Sequence, residues 1–345
     1  VDKKSRRDFL KAAAAATTLA GCSHYPAIDP ALPTISAIQS ARKRHGPSKV
    51  AIIKSAEYSE HLFDLIKPYL AELTLPDLKN KRVLLKPNMV EFQGDRPIFT
   101  NPLVVKAAVE LVNYLGAKEI TIAEGPGHMR DTEFLLQATG LGAMCKKLGL
   151  PFYDLNLDDL VEVQNTDGFS KFTSIWLPKK AVETDAFVSV PKMKMHHWVG
   201  ITATMKNLLG CIPGRKYGWP KNSVHINGIK ETTIDLQHLL KPVFGLVDGI
   251  IAMEGDGPIN GTAKKAGFLV LGEDLAAVDA TCARTMCVDL SDLPYIQLAG
   301  KVVGNVETES ITILGAPIDS VKQEFAKPIT LKDKSLLSQA TRAGS

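Results

Sequence analysis

Two hydrophobic rhythms alternate along most of this chain. Short runs of aliphatic, β-rich residues (Val50–Ile53, Val83–Leu85, Ile120–Ala123) are each followed by longer segments whose apolar positions recur every three or four residues, at His61–Leu73, Leu103–Leu115 and Thr132–Leu148. Leu103, Val104, Ala107, Ala108, Leu111 and Val112 make one buried helical stripe, with Gly116 placed to end it. After a strand-like stretch from Phe152 to Leu177 the rhythm resumes. Phe187–Val190 precedes a loop and a helical Val199–Leu209, Val243–Val247 precedes another loop, Phe268–Leu271 feeds a helix Leu275–Cys287, and Ile311–Leu314 adds a last strand. This order predicts an α/β fold: a mainly parallel sheet with helices on both faces and a small inserted subdomain around residues 150–225. The body is expected over residues 49–330, with a tail at 331–345.

The first residues follow neither rhythm. Ser5-Arg6-Arg7-Asp8-Phe9-Leu10-Lys11 leads into the weakly apolar run Ala12 to Leu19, and Leu19-Ala20-Gly21-Cys22 follows. Paired arginines before such a run predict a twin-arginine export signal over residues 1–21, and small residues before a cysteine predict a lipoprotein processing site. Cys22 is then the lipidated first residue, and residues 22–48, with Pro26, Pro30 and Pro33, are a tether. The expected partners are the export machinery and a membrane, and the expected location is the periplasmic side of the cell envelope.

Composition narrows the picture. Apolar residues make up 45% and charged residues 23%, which is globular usage. Five of the 41 Lys and Arg but only two of the 37 Asp and Glu fall in residues 1–21, so the body is nearly neutral and carries no general nucleic-acid footprint. Cys145, Cys211, Cys282 and Cys287 form no C-x-x-C or Cys/His cluster, so no iron–sulfur cluster is expected. G-x-G-x-x-G, G-K-[ST] and G-x-S-x-G are all absent.

Ligands of open parallel sheets sit outside the carboxyl ends of the strands. Four apolar strands here run into polar, Gly- or Pro-bearing segments: Lys86-Pro87-Asn88, Glu124-Gly125-Pro126-Gly127-His128, Pro191-Lys192-Met193-Lys194-Met195-His196-His197, and Asp248-Gly249 with Met253-Glu254-Gly255-Asp256-Gly257-Pro258. Lys192 and Lys194, two apart in extended chain, project to one side and suit a carboxylate or phosphate. Lys86, Asn88, Lys206 and Arg215 join them as candidate substrate ligands. His197 and His225 are the candidate proton carriers, His197 first for its place beside the lysines. His196 is expected on the opposite face of the strand from His197. Glu124, Asp248 and Glu254 are candidate ligands for a divalent metal. Asp279, among small apolar residues, needs a partner and is read as an anchor.

At these same residues the chain resembles a bacterial and archaeal family catalogued as domain of unknown function 362. The resemblance runs from about Val50 to Phe325. It rests on Lys86-Pro87-Asn88, Thr100-Asn101-Pro102, Ala123-Glu124-Gly125, Pro191-Lys192 with Lys194 and His197, Lys206-Asn207, Gly210 with Pro213-Gly214, His225, Asp248-Gly249, Glu254-Gly255, Gly257-Pro258 and Asp279-Ala280. No activity follows from it. Some members carry ferredoxin-like cysteine motifs, which this chain lacks. The family is also faintly similar to nickel-pincer lactate racemases, in which Lys and His hold the cofactor, an analogy at the level of fold.

The leading expectation is an enzyme for a small anionic substrate, dependent on a metal or another cofactor. The alternative is a lipid-anchored protein that binds an anionic solute without transforming it. A scaffold with a vestigial crevice would instead scatter the charged loops over its surface.

Overall fold

The computed structural model describes residues 46–332 apart from 95, 129–130 and 166–167; the expected signal, Cys22, most of the tether and most of the C-terminal tail lie outside the described residues. The main sheet runs β12 (Ile311–Gly315), β1 (Ser48–Lys54), β11 (Thr262–Gly272), β10 (Pro242–Glu254), β7 (Ala186–Val190), β2 (Arg82–Pro87), β3 (Glu119–Glu124), β4 (Phe152–Asp154). It is mainly parallel. Among these eight strands only β11 runs against its neighbours, β1 and β10, and a small arm of β8 (Lys192–His196) and β9 (Gly200–Thr202) extends from β10.

Alternation along the strands fills both faces. Ala51, Ile53, Val83, Leu85 and Val188 pack with Leu62 and Ile66 of α1 (Leu62–Ile66) and with Val104, Ala108 and Leu111 of α2 (Pro102–Tyr114). Val50, Ile52, Leu84, Phe187 and Val270 face the other way, toward α9 (Ile229–Leu240), α10 (Leu275–Thr285) and α11 (Pro294–Val302). The period of two therefore does what the sequence pattern implied, one residue to each layer. The α2 stripe is also as expected. Its N-terminus is capped by the Asn101 side chain, which accepts from Leu103 N at 2.9 Å, and Gly116 takes a left-handed φ of 91° just beyond its end.

Four expectations change. The single helix expected at 132–148 is two, α3 (Thr132–Ala138) and α4 (Leu141–Leu148), broken at Gly140 with φ 76°. Residues 150–225 are not a separate subdomain, because β7 lies between β10 and β2 in the main sheet; only the ribbon of β5 (Leu160–Gln164) and β6 (Ser174–Pro178) forms a sheet of its own. The segment after Val190 is strand β8 rather than a loop. Asp248 lies inside the 13-residue β10, beside a register shift between Gly249 and Ile251, so that Asp-Gly pair is an irregularity within a strand and not a turn.

Helix α5 (Lys179–Val182) leads into β7, and after β9, in place of the one helix expected over Val199–Leu209, the chain forms the short helix α6 (Thr204–Asn207), which carries Lys206 and Asn207 against the sheet. Asp279 of α10 builds it. Its carboxylate accepts from Thr204 N at 2.7 Å, Thr204 Oγ1 at 2.5 Å, Met205 N at 3.2 Å and Tyr295 Oη at 3.3 Å. The partners Asp279 required are thus the otherwise orphaned amides that open this helix. Gly245 lets the helix approach, since a Cβ there would fall 2.3 Å from Thr204 Cγ2.

Candidate functional site

At the carboxyl end of β2, Lys86 points to the face that Leu84 occupies two residues earlier, and is wholly buried. Its ammonium donates to Glu124 Oε2 at 2.7 Å, Asn207 Oδ1 at 3.1 Å and Pro87 O at 3.0 Å. Glu124, at the end of the adjacent β3, also accepts from Met89 N at 3.1 Å and Gly125 N at 2.8 Å. Asn207 donates to Lys86 O at 2.9 Å and Ser189 Oγ at 3.1 Å, and Asn88 donates to Asn207 Oδ1 at 3.3 Å. Strand ends β2, β3 and β7 and helix α6 are thereby tied in one buried network. Gly210 passes directly over it, as a Cβ there would lie 2.2 Å from Glu124 Oε1 and 2.5 Å from Lys86 Nζ.

Against this network lies a cavity of about 370 Å³. Lys194, Lys206 and Lys221 line it, as do His196, His197 and His225; His128 lines it too and is ion-paired to Glu91 at 2.7 Å. The lysines differ in what they hold. Lys194 donates to Ile98 O at 2.6 Å, and Lys221 donates to Gly125 O at 2.8 Å and Gly210 O at 3.1 Å. Lys206 Nζ meets no hydrogen-bond acceptor among the described residues, although the side chain stays partly open to the cavity. Burial, followed by repulsion from Lys86 and Lys221, brings its pKa down to about 7. Burial likewise lowers Lys221 to about 8 and Lys194 well below its ordinary value, the latter with repulsion from Lys206 and Lys192.

The imidazoles are held neutral. His196 Nδ1 accepts from Trp198 N at 3.0 Å, which places its proton on Nε2. His197 Nδ1 lies 2.5 Å from Gly257 O, which can only accept; the proton is therefore on Nδ1, and Nε2 keeps a lone pair. Burial lowers both pKa values, and takes His225 to about 4 with help from Lys206. His196 and His197 do not take opposite faces. Strand β8 ends at His196, and the two rings stack with centroids 5.0 Å apart. Three buried polar atoms along the cavity have no protein partner among the described residues: Asn88 Oδ1, Thr202 Oγ1 and His225 Nδ1. Such groups are rare in folded proteins and mark places where a polar ligand fits.

The remaining candidate residues sit elsewhere. Lys192 is ion-paired with buried Asp248 at 2.6 Å, and Tyr58 Oη donates to Asp248 Oδ1 at 2.9 Å. Asp248 also accepts from Asn101 N at 2.9 Å, so this pair fastens β8 and β10 to the start of α2 and does not line the cavity. Lys192 and Lys194 therefore serve different surroundings, despite their spacing. Arg215 is not part of the cavity lining either; its guanidinium donates to Asp158 O at 2.7 Å. Glu254 accepts from Ala326 N at 2.9 Å and faces Lys264. The carboxylates of Glu124, Asp248 and Glu254 thus belong to three separate networks, and among the described residues no group of three or more His, Cys, Asp or Glu is arranged to hold a metal ion. Lys221, which sequence reasoning passed over, adopts φ 67° after Pro220. No periodicity marks such a position.

Fold and site together define a doubly covered α/β protein with an electropositive cavity at the carboxyl ends of its parallel strands. The chain belongs to the family described as domain of unknown function (DUF362), whose model matches residues 83–284. It is 27% identical over 256 residues to the thylakoid-associated protein sll1697 of Synechocystis sp., covering 72% of this chain and 77% of that protein. Among solved structures it is similar to the lactate racemase apoprotein from Thermoanaerobacterium thermosaccharolyticum, with a TM-score of 0.43 and 14% identity over 70% of this chain. It spans 57% of that one.

Proposed function

We propose that this protein is an enzyme that takes a small carboxylate or phosphate anion into the cavity, with Lys206 as its principal ligand, Lys194 and Lys221 adding positive potential, and His197 Nε2 moving a proton. One observation carries the reading: Lys206 faces the cavity with no acceptor among the described residues, while Glu124, which lines the same cavity, is already engaged by Lys86. An anionic ligand supplies the missing charge and acceptor atoms. The orphaned Asn88 Oδ1 and Thr202 Oγ1 add hydrogen-bonding groups that would orient it. Cofactor dependence stays part of this reading.

The test is calorimetric titration of the full chain with inorganic phosphate and with a panel of small carboxylates, followed by mass analysis of the recovered ligand. Saturable binding that Lys206→Met abolishes supports the site, and chemical change in the ligand supports an enzyme. Binding with the ligand recovered unchanged favours a capture protein. No binding by any member, or binding indifferent to Lys206, overturns the proposal.

Export by the twin-arginine route and a lipid anchor at Cys22 complete the proposal. The motifs at Arg6-Arg7 and Cys22 support it, as does the name of the Synechocystis relative, which associates that protein with a membrane. Among the described residues no helix is long and apolar enough to cross a membrane.

A further inference from the structure

Of the five lysines around the site, four are occupied. Lys86 and Lys192 hold carboxylates, and Lys194 and Lys221 hold backbone carbonyls. Lys206 alone presents a nitrogen with no acceptor among the described residues to keep it protonated, on a short helix whose first amides Asp279 locks in place. Around that nitrogen the cavity offers cationic groups, imidazoles held as neutral tautomers, and orphaned acceptors.

We propose that Lys206 is a covalent catalytic residue whose amine condenses with the carbonyl carbon of a 2-oxo acid to form an imine, while the acid's carboxylate rests against Lys194 and Lys221. This rests on the anion-site reading above and adds the substrate class and bond chemistry: the Lys206 ammonium draws the anion in, then loses its proton to solvent, and the free amine attacks while the carboxylate stays with Lys194 and Lys221. The requirements for a lysine nucleophile are an unprotonated amine, an enclosed pocket and neighbouring cations that disfavour its ammonium form. The pocket and the neighbouring cations are present, and the Lys206 pKa, lowered to about 7 by burial and by Lys86 and Lys221, leaves a share of the amine unprotonated at neutral pH.

The step balances as follows. The nitrogen lone pair forms the C–N bond as the carbonyl π electrons move to oxygen. His197 Nε2 relays a proton from the new ammonium to that alkoxide. The hydroxyl then leaves as water, taking one further proton that reaches it from bulk solvent through His197 Nε2, and the nitrogen lone pair closes the iminium. The charge of that iminium is offset by the substrate's own carboxylate. Neutral Asn88 Oδ1 is placed to accept from the carbinolamine hydroxyl, a role for an acceptor that otherwise has no donor.

The test treats the full chain with pyruvate, 2-oxobutanoate or 2-oxoglutarate in the presence of sodium cyanoborohydride, then maps the product by peptide mass spectrometry. Propionate, which shares the carboxylate but has no carbonyl, is titrated in parallel. The expected result is a stable adduct on the Lys206 peptide, heavier by the oxo acid less one oxygen, in at least tenfold excess over any other lysine. Propionate should compete with its formation. Lys206→Arg keeps the charge and should still bind propionate while forming no adduct. Propionate binding without an adduct at Lys206 overturns the imine and leaves the anion site standing. Failure of both to bind overturns both. An adduct spread evenly over surface lysines also overturns the imine. The mapping is done on the unaltered protein, so it does not depend on any variant folding.

Discussion

A lysine ammonium without an acceptor is expensive to keep, and the energetics of Lys206 show what that implies. Its folded pKa of about 7 lies below its ordinary 10.5, so the group contributes stability only above pH 10.5, and that contribution is lost as pH falls through 7. Lys206→Met is therefore expected to raise the melting temperature at pH 6 in anion-free buffer while weakening anion binding at least tenfold, the size of one charge-assisted hydrogen bond. Differential scanning fluorimetry with and without phosphate measures both. Lys86, Lys194 and Lys221 surround the group with neutral His196, His197 and His225, and of the carboxylates lining the cavity Glu124 is engaged by Lys86 and Asp256 accepts from Ile329 N. An anion should thus raise the Lys206 pKa, so affinity falls as pH climbs above 7 and binding takes up a proton. Calorimetry in two buffers of different ionisation heat reads that uptake; a proton release would contradict the assignment. Glu124→Gln leaves the Lys86 ammonium buried without its counter-charge and is expected to destabilise by about 3–5 kcal/mol, measured by chemical denaturation.

At the scale of the element, α6 is a four-residue helix that has no strength of its own and exists because α10 and the sheet hold it. Asp279→Ala strips the acceptors from Thr204 N and Met205 N and is expected to cost at least ~2 kcal/mol for two buried amides. Anion affinity should fall with it, since Lys206 and Asn207 ride on this turn. Burial raises the Asp279 pKa to about 7, so its contribution to stability is present below its ordinary 3.8 and is lost as pH rises through 7. Asp279→Asn should therefore flatten the stability profile between about pH 4 and 7. Gly210→Ala tests the crossing over the Lys86–Glu124 pair. With the side chains of two buried, mutually paired charged residues in the way, it is expected to disrupt the site rather than shift it, seen as loss of anion binding at a lowered melting temperature.

For the whole molecule, the proposed export and anchoring come down to two short motifs. Arg6→Lys with Arg7→Lys in the full chain should retain the protein in the cytoplasm, and Cys22→Ser should move it from the membrane fraction to the soluble one. Cell fractionation reads both, and an unchanged distribution would remove the proposed location. The layered α/β body and the gathering of Lys86, Glu124, Lys194 and His197 at strand ends fit a single ligand-binding crevice, opposite to what a scaffold with scattered charges would show.

What the sequence determined by itself was the rhythm: alternation along β1, β2 and β7, the apolar stripe of α2, and the family signature. These are legible because local geometry repeats every two or 3.6 residues and each apolar side chain has one layer to enter. The arrangement of charge was decided only by tertiary structure. Lys192 and Lys194 look equivalent in extended chain, yet one meets Asp248 and the other the cavity. Asp248 and Glu254 look like metal ligands until Tyr58, Asn101 and Ala326 arrive from remote segments to occupy them. Lys206 reads as one candidate anion ligand among several, and only the lack of an acceptor among the described residues sets it apart from Lys192 and Arg215. Spacing along a chain orders side chains on a face, but a charge is defined by whatever the fold brings within about 3 Å of it.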